Sequence, residues 1–309
     1  MRRWALPLTG KTIRILNFGS LNIDHVYSVE RFVRPGETLN SLGYKQFAGG
    51  KGFNQSTALA YAGATVYHAG KIGHDGAWLR ERLRKVGVDV SFIETADTQT
   101  GHAVIQVNKA GENCIILHGG ANQEVTESDA RGILPNFSAG DYLLLQNEIT
   151  SIPEIMTLGS ARGMHVVFNP APMTSTVASC PLELADLFVL NEIEAGELTS
   201  ETEPERMLAA MRKKYPEAGV VLTLGDKGAM YLDSQMSFNV DAEKVTAVDT
   251  TAAGDTFIGF CLAEFSRNQD MEAALKLGCR AAALCVTRMG ASDSIPTRAE
   301  VDQSPPGAS

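Results

Sequence analysis

"VDTTAAGDTFIGF", Val248 to Phe260, sets two aspartates, adjacent threonines and a run of residues no larger than Ala directly before an apolar segment. From Gly254 onward, Phe257, Ile258, Cys261, Leu262 and Phe265 recur at helical spacing, so Ala252, Ala253 and Gly254 stand at a helix N-terminus. Backbone N–H groups there have no intrahelical acceptor and the helix dipole favours negative charge, which makes an anion site without a basic side chain. Small residues let a phosphate come close to that backbone. Asp255 falls in the first turn, where it can accept a proton from an attacking hydroxyl. A plainer reading has Thr250 or Thr251 capping the helix and Asp255 complementing its dipole, and the stretch alone leaves both open.

The rest of the chain supplies a frame for that helix. Short apolar runs bounded by Gly, Asn or Pro recur ("IRILNFGS", "TVYHAGKIG", "DYLLLQNE", "HVVFNPAP", "DLFVLNE", "VVLTLGDKG"). Helical patterns lie between them, such as "DGAWLRERLRKVG", where Leu79, Leu83 and Val86 share a face. Buried strands alternating with helices predict an α/β fold: a doubly wound, mostly parallel, Rossmann-like sheet. Two regions break the rhythm. His102 to Gly120 alternates about a turn at Lys109 to Asn113, as a hairpin does, and Asp24 to Phe47 has no helical period and carries the turn "RPGE". Together, segments 24–47 and 102–118 predict a small antiparallel β-sheet lid on a single domain spanning 1–309, with 302–309 a disordered tail.

Length and charge narrow the partners. A chain of 309 residues with 44% apolar and 20% charged residues suits a soluble protein with a large core. Twenty-seven Lys and Arg against 36 Asp and Glu leave a net charge of −9, which argues against nucleic acid or an anionic membrane as partner. An anionic ligand must be held by local features. The cysteines, Cys114, Cys180, Cys261, Cys279 and Cys285, have neither disulfide-framework nor zinc spacing and suit a reducing cytoplasm. "GKT" at Gly10 to Thr12 lacks the upstream glycine and preceding strand of a P-loop, and the opening "MRRWALPLTGK" is too broken for a signal-peptide core.

Two further constellations carry chemistry. "GSLNID" and "FAGGKGFNQS" combine glycines suited to tight backbone geometry (Gly49, Gly50, Gly52), ahead of a helix beginning near Asn54, with short polar side chains (Asn22, Asp24, Asn54) suited to sugar hydroxyls. "LNEIEAGEL" puts Asn191 at a strand end with Glu194 three residues on, and "TLGDKG" puts Thr223, Gly225 and Gly228 after the next strand. Both lie where open α/β sheets bind ligands, and both suit hydrated Mg²⁺ and nucleotide phosphates; a solvated helix start is the alternative for each.

The series "GSLNIDH", "PGETL", "GGKGFNQ", "TGHAVIQVN", "GENCIILHGGAN", "LLLQNE", "NPAP", "NEIEAGELT", "TLGDKG", "DTTAAGDTF" and "VTRMGASDSIP", in this order from about Arg14 to Val301, resembles the ribokinase-like carbohydrate kinase family. The resemblance implies an ATP-dependent kinase acting on the primary hydroxyl of a pentose, D-ribose foremost, with another sugar or a nucleoside as the alternative. It implies Asp255 as catalytic base and the backbone of Ala252, Ala253 and Gly254 as an anion hole. Asn22, Asp24, Gly50, Lys51, Asn54 and Glu148 match sugar positions, with Ala103 and Ile105 matching lid residues that close over the sugar. Asn191, Thr223, Gly225 and Gly228 match nucleotide positions, and Glu194 matches a residue that reaches Mg²⁺ through water. Asp249, Thr251, Cys285, Arg288, Gly290 and Ser294 match a loop that holds a monovalent cation, potassium in most relatives. A homodimer formed through the lid is also implied. Three residues depart from the family pattern: Ala252 stands for a frequent Gly, Phe53 for a small residue beside Asn54, and Asn147 for an apolar one beside Glu148. A dinucleotide oxidoreductase would share the sheet pattern, but no GxGxxG follows the first strand. A catalytically silent sugar sensor would have no use for Asp255 together with Asn191 and Glu194.

Overall fold

A computed structural model describes residues 12–304. Gly10 and Lys11 of "GKT", the opening segment before Thr12 and residues 305–309 of the expected tail lie outside the described residues. The strands are β1 (Arg14–Phe18), β2 (Asn22–Ser28), β3 (Gly43–Gly49), β4 (Thr65–Ile72), β5 (Asp89–Thr95), β6 (Gly101–Val107), β7 (Asn113–His118), β8 (Tyr142–Gln146), β9 (His165–Asn169), β10 (Leu187–Asn191), β11 (Gly219–Thr223), β12 (Ala229–Leu232) and β13 (Ser237–Val240). The α-helices are α1 (Lys51–Tyr61), α2 (Ala77–Lys85), α3 (Glu127–Ile133), α4 (Ile152–Ala161), α5 (Glu192–Thr199), α6 (Pro204–Lys214), α7 (Ala253–Asn268), α8 (Met271–Val286) and α9 (Arg298–Gln303). Asp302 and Gln303, expected in the tail, close α9, whose Thr297–Glu300 capping box secures its start.

The main sheet runs β13-β12-β11-β10-β9-β8-β1-β4-β5. Pairings from β11 through β5 are parallel and the two at the β13 edge antiparallel. Its central strands read as unbroken apolar runs because helices cover both faces. Alternate residues face opposite cores: Ile15, Leu144, Val167, Val189 and Val221 pack in the layer with α1, α7 and α8. Leu16, Leu143, Val166, Phe188 and Val220 pack in the layer with α3, α4 and α6. Strand β1, flanked by β4 and β8, is where the strand order reverses, which in open α/β sheets is where the ligand crevice forms.

The chain leaves this crevice at the end of β1 to build a second sheet, ordered β3-β2-β6-β7. This is the expected lid segment, with one difference: β2–β3 and β6–β7 are antiparallel, but the central pair β2–β6 is parallel. Strand β6 returns to the sheet after the α1–β5 excursion and enters from the same end as β2. Asp24 stands opposite Ala103, and Val26 opposite Ile105, so Asp24, Ala103 and Ile105 share one face. No helix among the described residues is long and apolar enough to cross a membrane.

Candidate active site

Helix α7 starts where its sequence predicts, with Ala252 as N-cap at φ 61°, a left-handed conformation uncommon for a residue with a Cβ. Thr256 donates the first intrahelical bond, to the Ala252 carbonyl at 2.8 Å, which leaves the N–H groups of Gly254 and Asp255 at the open end of the helix. No side chain caps this end. The capping role open to Thr250 or Thr251 is therefore not taken up, and Thr251 instead donates its N–H and hydroxyl to Asp249 at 2.9 and 2.7 Å.

Asp255 is 7% exposed, and each of its oxygens accepts from a different amide of α1: Asn54 Nδ2 at 3.0 Å and Gln55 Nε2 at 2.9 Å. Asn54 Oδ1 is buried without a hydrogen-bond partner, an acceptor available to a ligand hydroxyl. Helix α1 begins at Lys51, three residues earlier than its sequence suggests, because Gly50 takes φ 91° and turns the chain into it. Gly52 is equally constrained: a Cβ there would meet the Ser20 backbone nitrogen at 2.4 Å. That close approach seats α1 on the end of β1, with Phe53 N–H donating to the Ser20 carbonyl at 2.9 Å.

Three carboxylates surround Lys51. Burial pulls its ammonium down, but Asp255, Glu148 and Glu194 together outweigh that and hold the pKa above the ordinary lysine value. Glu148 accepts from Ser20 Oγ at 2.5 Å and from the Lys51 N–H at 2.9 Å; burial still raises its pKa, against the opposing pull of Lys51. Burial, with Glu148 adding to it, pushes Asp24 up to about 7. Lys51, Asn169, Asn191, Glu194, Thr223, Gly254 and Asp255 line a cavity of about 250 Å³ at the carboxyl ends of β9 to β11. A larger one of about 720 Å³ adjoins it, lined by Asn22, Asn122, Asn147, Glu148 and Leu117 of the lid among others. A small cavity with polar walls and one cation beside an open helix N-terminus suits a transferring phosphoryl group, and the neighbouring one suits a hydroxylated acceptor.

Asn191 and Glu194 form a complete capping box on α5: Asn191 Oδ1 accepts from the Glu194 N–H at 2.8 Å, and Glu194 accepts from the Asn191 N–H at 3.0 Å. Asn191 thus starts a helix, but not a solvated one: Glu194 is buried, and both residues line the smaller cavity. Burial raises the Glu194 pKa. Thr223 lies at the same rim, whereas Gly225 and Gly228 sit beyond it in the turn between β11 and β12. Gly228 answers to packing, since a Cβ there would meet the Val240 carbonyl at 2.0 Å.

The expected cation loop comes together from both sides. Asp249 ties the two halves, accepting also from the Gly290 N–H at 3.0 Å, and Cys285 Sγ lies 3.1 Å from Ser294 Oγ and 3.8 Å from the Thr251 carbonyl. Arg288 is the exception, its guanidinium paired with Glu300 at 2.7 Å, so only its backbone can serve the loop. Among the described residues no three His, Cys, Asp or Glu side chains converge as a metal cage. Asn22 is held by Asn122 at 2.7 Å, and Asn147 lines the larger cavity with its amide donating to Pro172 O and Thr174 Oγ1 of the same wall. Phe53 is 1% exposed, in the core that also takes in Ile23 and Ala48 of the lid strands, and does not line either cavity.

Ser20, Gln55, Asn122 and Asn169 escape a residue-by-residue reading of the sequence. The available signal was a polar residue closing or interrupting a buried run, as in "LNFGS", "LLLQNE" and "VVFNP".

The likeness to known proteins follows the same lines. Residues 12–298 match the family model described as pfkB family carbohydrate kinase. The ribokinase of Staphylococcus aureus is 36% identical over 94% of this chain and 99% of its own length. The crystal structure of a Cryptococcus neoformans ribokinase in complex with ADP aligns at a TM-score of 0.83, with 33% identity over 94% of this chain and 99% of that one. An Arabidopsis thaliana ribokinase complexed with ribose and ATP aligns at 0.83, with 28% identity over 94% of this chain and 98% of that one. Sequence motifs, sheet order and the carboxylate at the head of α7 thus converge on one assignment: this chain belongs to the pfkB family of carbohydrate kinases and is a sugar kinase.

Proposed function

We propose that the chain transfers the γ-phosphoryl group of ATP to the 5-hydroxyl of D-ribose, giving D-ribose 5-phosphate and ADP. The observation that carries this reading is the Asp255 carboxylate, fixed by two amides at the open N-terminus of α7 and facing a cavity whose cation is Lys51. The ribokinases complexed with ADP and with ribose and ATP support the choice of substrates.

In this mechanism Asp24, Asn22, Asn54 and Glu148 bind the sugar hydroxyls, with the Gly50 and Lys51 backbone beside them and Ala103 and Ile105 closing from the lid. Asp255 takes the proton of the 5-hydroxyl as that oxygen bonds to the γ-phosphorus, while the bond from phosphorus to the bridging oxygen breaks and ADP leaves with its electrons. The open backbone N–H groups of Gly254 and Asp255 stabilise charge on the group in transit, the Ala253 N–H being directed to the Thr250 carbonyl, and Lys51 adds a fixed positive charge. Asn191, Thr223, Gly225 and Gly228 flank the nucleotide. Mg²⁺ supplies charge neutralisation on the phosphates; the buried Glu194 carboxylate, already engaged by Asn191, fits contact through water rather than direct ligation. Thr251, Ser294 and neighbouring backbone oxygens suit a potassium-sized cation that orders the loop behind the anion hole. Equal rates with and without potassium, in buffer containing only a large organic cation, would remove that cation from the proposal.

The four-stranded sheet serves as the lid of one catalytic domain and as the contact of a homodimer; exposed Tyr44, Ile115, Ile116 and Leu117 support this. Free thiols at all five cysteines suit a cytoplasmic setting. Coupled ATP-consumption rates on ribose, deoxyribose, fructose, tagatose, arabinose and common nucleosides test the assignment: ribose is expected to give the highest kcat/KM, and a higher value on another acceptor would replace it.

A further inference from the structure

Beneath Asp255 runs a chain of buried amides whose polarity is set from both ends. At one end Asn169 Nδ2 donates to the Val189 carbonyl at 3.0 Å, which leaves Asn169 Oδ1 facing Gln55. At the other end Asn17 Nδ2 donates to the Gly52 carbonyl and to Ser56 Oγ, both at 2.8 Å, which leaves Asn17 Oδ1 facing Gln146. Backbone carbonyls only accept, so neither asparagine can turn over without placing oxygen against oxygen. Gln146 must therefore present its Nε2, which donates to Asn17 Oδ1 at 2.9 Å and to Gln55 Oε1 at 2.7 Å. Gln55 is thus constrained from both directions to aim its own Nε2 at Asn169 Oδ1, at 3.2 Å, and at Asp255 Oδ1, at 2.9 Å. Asn17, Gln55 and Gln146 are completely buried, and His68, also buried, continues the chain through Ser56 Oγ at 2.7 Å. A chain of amides in the interior costs desolvation that an apolar core avoids, so its retention under one carboxylate points to that carboxylate.

We propose that Gln55 is a positioning residue: its amide, polarised by the Asn17–Gln146 pair and by Asn169, holds the Asp255 carboxylate in the orientation from which it accepts the acceptor's proton. This rests on the kinase reading above and deepens it. A misplacement on the order of 1 Å can cost about 100-fold in rate, so one hydrogen bond that fixes a rotamer carries a kinetic consequence larger than its stability contribution.

Two variants test this beside the wild-type protein, whose sugar-dependent ATP consumption checks the underlying reading separately. Gln55→Met fills the volume without a donor. We expect kcat to fall at least tenfold with KM for ribose and for ATP within about threefold, since neither substrate touches Gln55 in the mechanism. Gln55→Glu keeps the shape but sets a second carboxylate against Asp255. The pair must then share a proton, and the acid limb of the kcat profile should move up by a pH unit or more. Wild-type kcat in Gln55→Met, or a Gln55→Glu profile overlying the wild type, would overturn the proposal. So would failure of both variants to fold, because the amide chain would then be a structural support rather than an aiming device. An inactive wild-type protein would instead strike the kinase reading itself.

Discussion

The two sheets obey opposite rules. In the main sheet, β8 and β9 are buried at every residue, and the side-chain NH2 groups at their carboxyl ends donate to other amides or to a backbone carbonyl. In the lid sheet every residue of β7 is exposed, Ile116 at 66%, and the central strand β2 is half-buried along most of its length. Asp255, the proposed base, belongs to the first environment and Asp24 to the second. A proton acceptor has to be held to a fraction of an ångström, which a sheet packed on both faces provides. A sugar has to enter and leave, which requires a cover with little burial of its own.

The strongest way to break this contrast is Asp255→Asn. It removes the proton acceptor and turns one amide hydrogen pair toward the donors of Asn54 or Gln55, so kcat is expected to fall by roughly 100- to 10,000-fold with sugar binding largely kept. A loss under tenfold in steady-state rates would take the base role from Asp255. Next comes a comparison of apolar residues. Phe53→Ala, in the core below the lid, is expected to cost about 3–5 kcal/mol in chemical denaturation with sugar preference unchanged, whereas Ile116→Ser on the lid is expected to stay within about 0.5 kcal/mol. A tenfold gain of Phe53→Ala on a larger sugar would put that ring in the pocket instead.

The third prediction concerns Asp24, whose pKa stands near 7 because burial and then Glu148 disfavour its charge. The folded value lies above the unfolded one, so the stability it contributes is fully present below the ordinary carboxylate range and is lost as pH rises through about 7. Sugar binding runs the other way, since hydroxyl donors favour the ionised form. The sugar KM is expected to rise by up to about tenfold per pH unit below 7, while Asp24→Asn flattens that dependence and raises KM throughout. A pH-independent KM from 5.5 to 8.5 would separate Asp24 from the sugar. The smallest effect is expected at Ala252, held at φ 61°. Replacing it by Gly relieves the left-handed penalty but loosens the unfolded chain, for a net change within about 1 kcal/mol in thermal unfolding and no change in kcat. A large loss of activity would mean the Ala252 methyl itself contacts the transferring group.

Much of this molecule was legible from one dimension. Apolar runs with period-free burial specified the parallel strands, and the spacing of Phe257, Ile258, Cys261, Leu262 and Phe265 specified α7 and the small residues at its head. Those patterns are local because strands and helices advertise burial in their own residues. The parallel β2–β6 pairing was not legible, since both strands alternate alike whichever way they run. Nor was the pairing of Asn147 with Pro172 and Thr174, or the helix start at Lys51.

By itself, then, the sequence determined the elements and their order, and it singled out Asp255 as the candidate carboxylate. Only the tertiary structure decided what holds that carboxylate. Gln55 and Asp255 are 200 positions apart, and the polarity of their bond is fixed by Val189 and Gly52 carbonyls reached through three other amides. Hydrogen-bond direction in a buried network is a property of its ends, and sequence spacing carries no trace of where those ends meet.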